Sequence, residues 1–139
     1  MTTTLSTYLS FEKNARTAME FYHSVFGGDL TINTFKEQGS SNSPEQDNLI
    51  MHSQLKTEGG INIMASDTVV GKGQGALTRG NDFSLSINGT DLVEITAYYE
   101  KLIAGGTVTV PLAASPWGDT FAMFKDKFGM QWMINVTKA

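Results

Sequence analysis

Alternating hydrophobic and polar residues predict the same order of elements in each half of the chain. In the first half, residues 5–11 alternate as a strand does, and the following helix ends at Gly27-Gly28. Three more strands are predicted at 30–35, 49–55 and 61–65, the last two forming a hairpin. In the second half, strands are predicted at 83–88, 107–112, 120–125 and 130–136, and a helix that ends at Gly105-Gly106 precedes the second of them.

The two halves also share individual residues, which indicates a duplication. The closing hairpins align at Lys56/Lys125, Gly60/Gly129, Asn62/Gln131 and Met64/Met133. Upstream, Tyr8-Leu-Ser-Phe11 is matched to Ser84-Leu-Ser-Ile87. The repeat predicts an α+β fold of two paired βαβββ modules that form a curved mixed sheet, with a cup on one face and helices on the outer face.

The repeat also predicts the domain boundaries. Residues 1–66 form the first module, 67–81 a Gly-rich linker and 82–139 the second module, all within one globular domain. Within the linker, Gly71-Lys-Gly-Gln-Gly75 lacks the spacing of a phosphate-binding loop, so we interpret it as a flexible connection.

Strand alternation divides the predicted sheet into an apolar and a polar face. The apolar face, expected beneath the helices, carries Leu5, Leu9, Phe11, Met51, Leu55, Ile61, Ile63, Phe83, Leu85, Ile87, Trp132, Ile134 and Val136. The opposite face carries Ser6, Tyr8, Ser10, His52, Gln54, Asn62, Met64, Ser66, Asp82, Ser84, Ser86, Gln131, Met133 and Asn135. A polar face of this kind either lines a ligand-binding concavity or meets water.

Composition removes several classes of function. The chain has 139 residues and a net charge of −4, which disfavours nucleic acid and anionic lipid as partners. No apolar run approaches the length of a membrane span, and the N-terminus does not resemble a secretion signal, so a cytoplasmic protein is expected. The absence of cysteine excludes disulfides, thiolate nucleophiles and cysteine-based zinc sites.

Several motifs together resemble one family. They are Tyr8-Leu-Ser-Phe11, Ala18-Met-Glu-Phe-Tyr-His-Ser-Val-Phe-Gly-Gly28, Pro111-Leu with Trp117-Gly118, and Asp126-Lys-Phe-Gly-Met-Gln-Trp-Met133. The chain resembles the PhnB-like branch of the glyoxalase/bleomycin-resistance/extradiol-dioxygenase superfamily, whose members are also called vicinal oxygen chelate proteins. The resemblance implies paired βαβββ modules, a homodimer and a site inside the sheet cup. Such proteins also carry a demethylubiquinone methyltransferase label, but no glycine-rich nucleotide-binding turn follows a parallel strand in this sequence.

Enzymes of this superfamily bind a divalent metal through His and Glu on the first and last strand of each module. The resemblance carries those positions to Ser6, Met64, Asp82 and Met133. A hard cation prefers carboxylate or imidazole ligands, and of these four residues only Asp82 supplies one. We therefore expect no metal and no other cofactor.

The candidate site residues lie on the polar face or near its rim. His52 is the candidate for catalysis, because histidine acts as a general base near neutral pH; the alternative is a surface histidine on a strand. Asp82 either orients a ligand or is a turn residue, and Trp117 either closes over a ligand or packs between the modules. The full set of expected ligand-binding residues is Tyr8, His52, Met64, Asp82, Trp117, Asp119 and Met133. The Lys125-Asp126-Lys127 run is expected to be a solvated turn.

Three functions remain open. The leading hypothesis is a metal-free protein that binds an unknown small molecule in the cup. The second is a metal-dependent lyase, isomerase or dioxygenase of the glyoxalase kind, which would need His52 and Asp82 as ligands together with Glu58 or Glu12. The third is sequestration of an antibiotic or toxic metabolite.

Overall fold

The computed structural model describes residues 3–69 and 76–138, which form two compact units, Met1–Thr78 and Arg79–Ala139. The boundary between the units falls within the predicted linker, whereas the Gly71–Gly75 segment lies outside the described residues. The first unit contains β1 (Thr7–Phe11), α1 (Ala15–Phe26), β2 (Asp29–Thr34), a short 3-10 turn (Pro44–Gln46), β3 (Ile50–Lys56) and β4 (Asn62–Asp67). The second contains β5 (Leu85–Gly89), α2 (Leu92–Leu102), β6 (Thr107–Ala114), β7 (Thr120–Lys125) and β8 (Gln131–Val136).

Each unit holds one four-stranded mixed sheet with the same topology. The strand orders are β1-β4-β3-β2 and β5-β8-β7-β6. In each sheet the first strand pairs in parallel with the last, and the other pairs are antiparallel. The predicted α+β fold of two βαβββ modules is therefore confirmed, and the units are called module 1 and module 2 below.

In module 1, the apolar side of α1 packs on the sheet, as the spacing of its hydrophobic residues predicts. The buried helix residues are Ala15, Ala18, Met19, Tyr22, Val25 and Phe26, and they meet Leu9, Phe11, Leu55 and Ile63 in the core. Asn14 precedes the helix but its side chain forms no cap. The buried Asp67 carboxylate at the end of β4 accepts the Ala15 N–H instead, at 3.0 Å.

In module 2, Asp91 caps α2 by accepting the backbone N–H of Glu94 at 3.0 Å. Ile95 and Leu102 are the buried residues of the helix. The core beneath it contains Phe124 and Trp132, whose rings stack with centroids 6.4 Å apart, together with Ile87, Ala122, Ile134 and Val136. Leu92, the first residue of the helix, is 48% exposed.

The duplication is visible in the turn that closes each module. Gly60 and Gly129 both have positive φ, 104° and 87°, in the hairpin turns between the last two strands. Gly28 and Gly106 lie directly against the backbone carbonyl oxygens of Lys56 and Lys125, where a Cβ atom would clash. The helix stop, the tight turn and the close approach therefore recur as one device in each module.

The register of the first strands differs from the predicted match. Tyr8 pairs with Met64 and Ser86 pairs with Met133, so Tyr8 is equivalent to Ser86 and not to Ser84. The shift of two residues keeps the parity of the strand, so the prediction of its faces is unaffected.

Other expectations from the sequence were wrong at particular residues. Leu5 and Phe83 are not in strands and are 101% and 73% exposed, not part of the apolar face. A bulge in β3 brings Ile50 into the core, whereas Met51 is half-buried. Asp67 belongs to β4 and not to the linker, because its carboxylate is buried against two backbone N–H groups. In the Lys125-Asp126-Lys127 run both lysines are exposed as expected, but Asp126 is only 3% exposed. None of the described helices is long and apolar enough to cross a membrane.

Candidate functional site

The face of the module 1 sheet that points away from α1 carries the first group of candidate residues. Met64 lies on β4 between Tyr8 on β1 and Gln54 on β3, and the three residues are directly paired across the strands. His52 precedes Gln54 by two residues on β3, so its side chain shares this face. Met64, His52 and Gln54 are half-buried and Tyr8 is exposed, so ligand has access to all four.

Tyr8 and His52 contact each other across β4. The Tyr8 hydroxyl lies 3.3 Å from His52 Nδ1, and the ring centroids are 5.8 Å apart at an interplanar angle of 34°. The tautomer of His52 decides which group donates this hydrogen bond. In either case the contact fixes Nδ1 and leaves Nε2 as the atom that can exchange a proton with a ligand.

A ladder of polar side chains lies beside this pair. Gln54 Nε2 donates to Asn62 Oδ1 at 3.0 Å, and Asn62 Nδ2 donates to Ser6 Oγ at 3.1 Å. Gln54 also lines an open cleft of about 310 Å³ at the start of β2 and the end of β3, together with Asp29, Thr31, Lys56, Thr57 and Glu58. The polar face is therefore continuous from the Tyr8–His52 pair to this cleft.

The corresponding face of module 2 carries the second group. Trp117 projects from the β6–β7 turn, and its indole Nε1 donates to Asn135 Oδ1 at 3.5 Å. Asn135 Nδ2 in turn donates to Asp119 Oδ2 at 2.9 Å. Phe121, paired with Asn135 across the strands, packs edge-on to Trp117 with centroids 5.3 Å apart. Met133 lies on the same face two residues before Asn135.

The structure thus gathers the predicted residues into two groups. Tyr8, His52 and Met64 share the module 1 face, and Trp117, Asp119 and Met133 share the module 2 face. Asp82 lies in an exposed bend three residues before β5, beside Gly80. It belongs to neither group of contacts.

The positions at which the resemblance implies a metal do not form a suitable ligand set. Ser6 Oγ already accepts a hydrogen bond from Asn62, and Met64 and Met133 offer only thioethers. Residues 3–69 and 76–138 contain no cluster of three or more His, Asp or Glu side chains placed to hold a metal ion. Glu58 lies beyond the end of β3, and Lys56 alone is already about 13 Å along the strand from His52 at about 3.3 Å per residue. Glu58 is therefore too far to complete a site at His52.

Sequence reasoning placed Asn135, Gln54 and Asn62 on the polar face but did not select them as site residues. It did not select Phe121 at all. The missing signal was the side-chain hydrogen bonding between neighbouring strands, which requires the strand register. The equivalence of the hairpins offered one clue, because it aligns Phe121 with His52 at the same place on each face.

Comparison with known proteins relates the chain to one family. The family model described as 3-demethylubiquinone-9 3-methyltransferase matches residues 3–135. Protein YjdN of Escherichia coli (strain K12) is 30% identical over 145 residues, which cover 96% of this chain and 95% of that protein.

Solved structures of similar proteins have the same fold. Protein PA1353 from Pseudomonas aeruginosa matches with a TM-score of 0.80 and 31% identity, covering 99% of this chain and 100% of that one. A putative 3-demethylubiquinone-9 3-methyltransferase, PhnB protein, from Bacillus cereus matches with a TM-score of 0.76 and 25% identity, covering 97% and 100%. A glyoxalase/bleomycin resistance protein/dioxygenase family enzyme from Burkholderia phytofirmans shares the fold, with a TM-score of 0.59 and 20% identity over 94% of this chain and 96% of that one.

Proposed function

Because the chain belongs to the PhnB-like branch of the glyoxalase/bleomycin-resistance/extradiol-dioxygenase superfamily, we propose that it binds a small molecule on the helix-free faces of its sheets. The proposed binding requires no metal and no other cofactor. The observation that carries the proposal is that the helix-free face of each module presents accessible side chains of distinct chemistry. Tyr8 and His52 occupy it in module 1, and Trp117 and Asp119 occupy it in module 2.

Module 1 supplies directional polar recognition in this proposal. His52 Nε2 accepts or donates a hydrogen bond to the ligand, while Tyr8 fixes the orientation of the imidazole. The side chains of the Gln54–Asn62–Ser6 ladder hold each other by hydrogen bonds, so they present a fixed pattern of polar groups to a ligand. Met64 adds a polarizable apolar surface between them.

Methyl transfer is not part of the proposed function. A nucleotide-type methyl donor is commonly held by a glycine-rich turn between a strand and the following helix. Here the β1–α1 connection is Glu12-Lys13-Asn14, and Thr90-Asp91 joins β5 to α2, so neither connection contains a glycine.

A ligand screen by thermal unfolding of the full chain tests the proposal. Ligands that bind the folded state raise the melting temperature, and the rise should be reduced by His52→Ala or by Trp117→Leu. The exposed Glu20→Gln serves as the matched control and should leave the rise unchanged. A broad screen in which no compound shifts the melting temperature would count against binding as the function.

Metal analysis of the protein purified without chelator provides the second test. We expect no stoichiometric metal and no saturable binding of Ni, Zn, Mn or Fe(II). Stoichiometric metal that is lost in His52→Ala would instead support a metal-dependent lyase, isomerase or dioxygenase, and assays for isomerisation and ring cleavage would follow.

We also propose that the chain forms a homodimer. Leu5 and Phe83, at equivalent places before β1 and β5, are both highly exposed, and Val93 on α2 is exposed as well. Large exposed apolar side chains favour association. Light scattering coupled to size exclusion should give a dimer mass, and the double variant Leu5→Ser, Phe83→Ser should give a monomer; a monomeric native chain would refute the proposal.

A further inference from the structure

The β6–β7 turn holds two chemically different side chains in a fixed relation. Ser115 N–H donates to the Asp119 carbonyl oxygen at 2.7 Å, the Ser115 hydroxyl donates to the same oxygen at 2.8 Å, and Gly118 N–H donates to the Ser115 carbonyl at 3.0 Å. Gly118 adopts a φ of 98°, which the turn requires and glycine allows. Trp117 and Asp119 are therefore presented from a closed turn rather than from a loose loop.

The aromatic rings at this turn form a corner open to solvent. Trp117 and Phe121 meet at an interplanar angle of 72°, so their faces make two walls that are nearly perpendicular. The Trp117 side chain is 61% exposed, which is a high fraction for tryptophan. Met123 and Met133, paired across β7 and β8, extend the apolar surface along the sheet.

A carboxylate stands next to this corner. Asn135 connects the two, because its Oδ1 accepts from the Trp117 indole and its Nδ2 donates to Asp119 Oδ2. Within residues 3–69 and 76–138, no lysine or arginine lies over the Trp117 or Phe121 ring and no basic group pairs with Asp119. The corner thus has a negative charge and electron-rich ring faces that this part of the chain does not neutralise.

We propose that the Trp117–Phe121–Asp119 corner binds an organic cation, a quaternary ammonium or a protonated amine with apolar substituents. The inference rests on the proposed small-molecule binding and names the ligand class for module 2. Indole faces attract such cations more strongly than other rings do, and the attraction adds to that of a nearby carboxylate. A small hydrated metal ion does not match a corner made mostly of rings, and a neutral ligand would leave the Asp119 charge unused.

The two tryptophans of the chain provide a direct assay. Each indole N–H gives its own signal in a proton–nitrogen NMR spectrum. Trp132 is buried with its Nε1 donating to Asp126 at 2.9 Å, so its signal serves as an internal control. Choline is the probe, and its neutral isostere, in which a tert-butyl group replaces the trimethylammonium group, is the matched ligand. We expect choline to shift the Trp117 signal saturably and to leave Trp132 unmoved, while the isostere has at least about tenfold weaker effect.

Two variants test the roles of the charge and of the ring. Asp119→Asn keeps the hydrogen bond with Asn135 but removes the charge, and should weaken choline binding about two- to fivefold. Phe121→Leu keeps an apolar wall but removes the ring face, and should weaken it as well. Glu100→Gln, which removes an exposed charge from α2, should have no effect.

Three results would overturn the inference: equal shifts with choline and its isostere, equal effects of Asp119→Asn and Glu100→Gln, or no shift with choline. None of them decides whether the chain binds small molecules, because the thermal screen contains neutral and anionic compounds. If compounds in that screen bind but choline does not, only the assignment of a cationic ligand is refuted. If no compound of any charge binds, the proposed function itself is refuted.

Discussion

Replacing Asp67 with asparagine should destabilise module 1 strongly, although the two side chains have nearly the same shape. The Asp67 carboxylate is 2% exposed. Its Oδ1 accepts the N–H of Ala15, the first residue of α1, at 3.0 Å. Its Oδ2 accepts the N–H of Ile50, the first residue of β3, at 2.9 Å. One side chain therefore joins the start of a helix to the start of a strand.

The magnitude follows from the two acceptors. Asparagine offers one oxygen, so one of the two buried N–H groups would face an NH₂ group and lose its partner. A hydrogen bond to a charged group contributes about 1.5–3 kcal/mol, and leaving a buried donor unsatisfied costs about 1–3 kcal/mol. Asp67→Asn should therefore lower the free energy of unfolding by about 3–5 kcal/mol, a large part of the total for a small domain.

Chemical denaturation followed by circular dichroism measures this loss, and amide hydrogen exchange locates it. The amides of Ala15 and Ile50 should exchange faster in Asp67→Asn than in the native chain. Asp29→Asn, which changes an exposed carboxylate, should alter stability by less than about 0.5 kcal/mol. A loss below about 1 kcal/mol with both amides still protected would refute the reasoning.

The same substitution should reach the candidate site. Ile50 lies at the bulge in β3, two residues before His52. Since Asp67 fixes the N–H of Ile50, it also fixes the strand that orients His52 towards Tyr8. Asp67 is thus a positioning residue, and Asp67→Asn should change the chemical shifts of the His52 ring in the folded protein.

Three further predictions concern single groups. The backbone N–H of Thr34 donates to the Glu37 carboxylate at 3.0 Å, and this hydrogen bond, followed by one from the Thr34 side chain, holds the pKa of Glu37 below its usual value. The resulting stability should be present above the usual glutamate pKa and lost on acidification. Thr34→Ala should raise the Glu37 pKa in a carboxyl NMR titration. Burial, and then the hydrogen bond that the Tyr98 hydroxyl donates to Glu94 at 2.9 Å, raises the pKa of Tyr98. The free energy of unfolding should therefore fall as the pH rises above about 10. Glu94→Gln should lower the Tyr98 pKa in an ultraviolet titration. Gly106→Ala should cost about 1–3 kcal/mol in denaturant unfolding, because the new Cβ would press on a backbone carbonyl of the β7–β8 turn, and an unchanged midpoint would contradict this.

Much of the fold was predictable because each element carries its own periodicity. The spacing of Met19, Tyr22 and Phe26 fixes the buried side of α1, and all three are buried. The Gly27-Gly28 pair marks the end of the helix because a left-handed stop and a close backbone approach both need glycine. These are local signals, and they survive without knowledge of the partner strands.

The errors arose where a tertiary contact overrides the local pattern. Asp67 and Asp126 looked like linker or solvated turn residues, yet both are buried, because two N–H groups converge on the carboxylate of Asp67 and three on that of Asp126. Asp126 accepts from Phe128 N, Met130 N and the Trp132 indole. Such convergence requires the three-dimensional register, which a single sequence does not contain. The same holds for the Asn135 link between Trp117 and Asp119.

The two modules share one fold but differ in the side chains on their helix-free faces. Thr68 and Thr137 donate to the carbonyls of Phe11 and Gly89 in the same way, so the strand ends match. On the helix-free faces the residues at matching positions differ: Tyr8, His52 and Gln54 in module 1 stand where Ser86, Phe121 and Met123 stand in module 2. Hydroxyl, imidazole and amide groups select a ligand by hydrogen bonds, whereas rings and thioethers select it by polarizable contact. A ligand recognised by hydrogen bonds should therefore be affected by substitutions in module 1, and a ligand recognised by polarizable contact should be affected by substitutions in module 2.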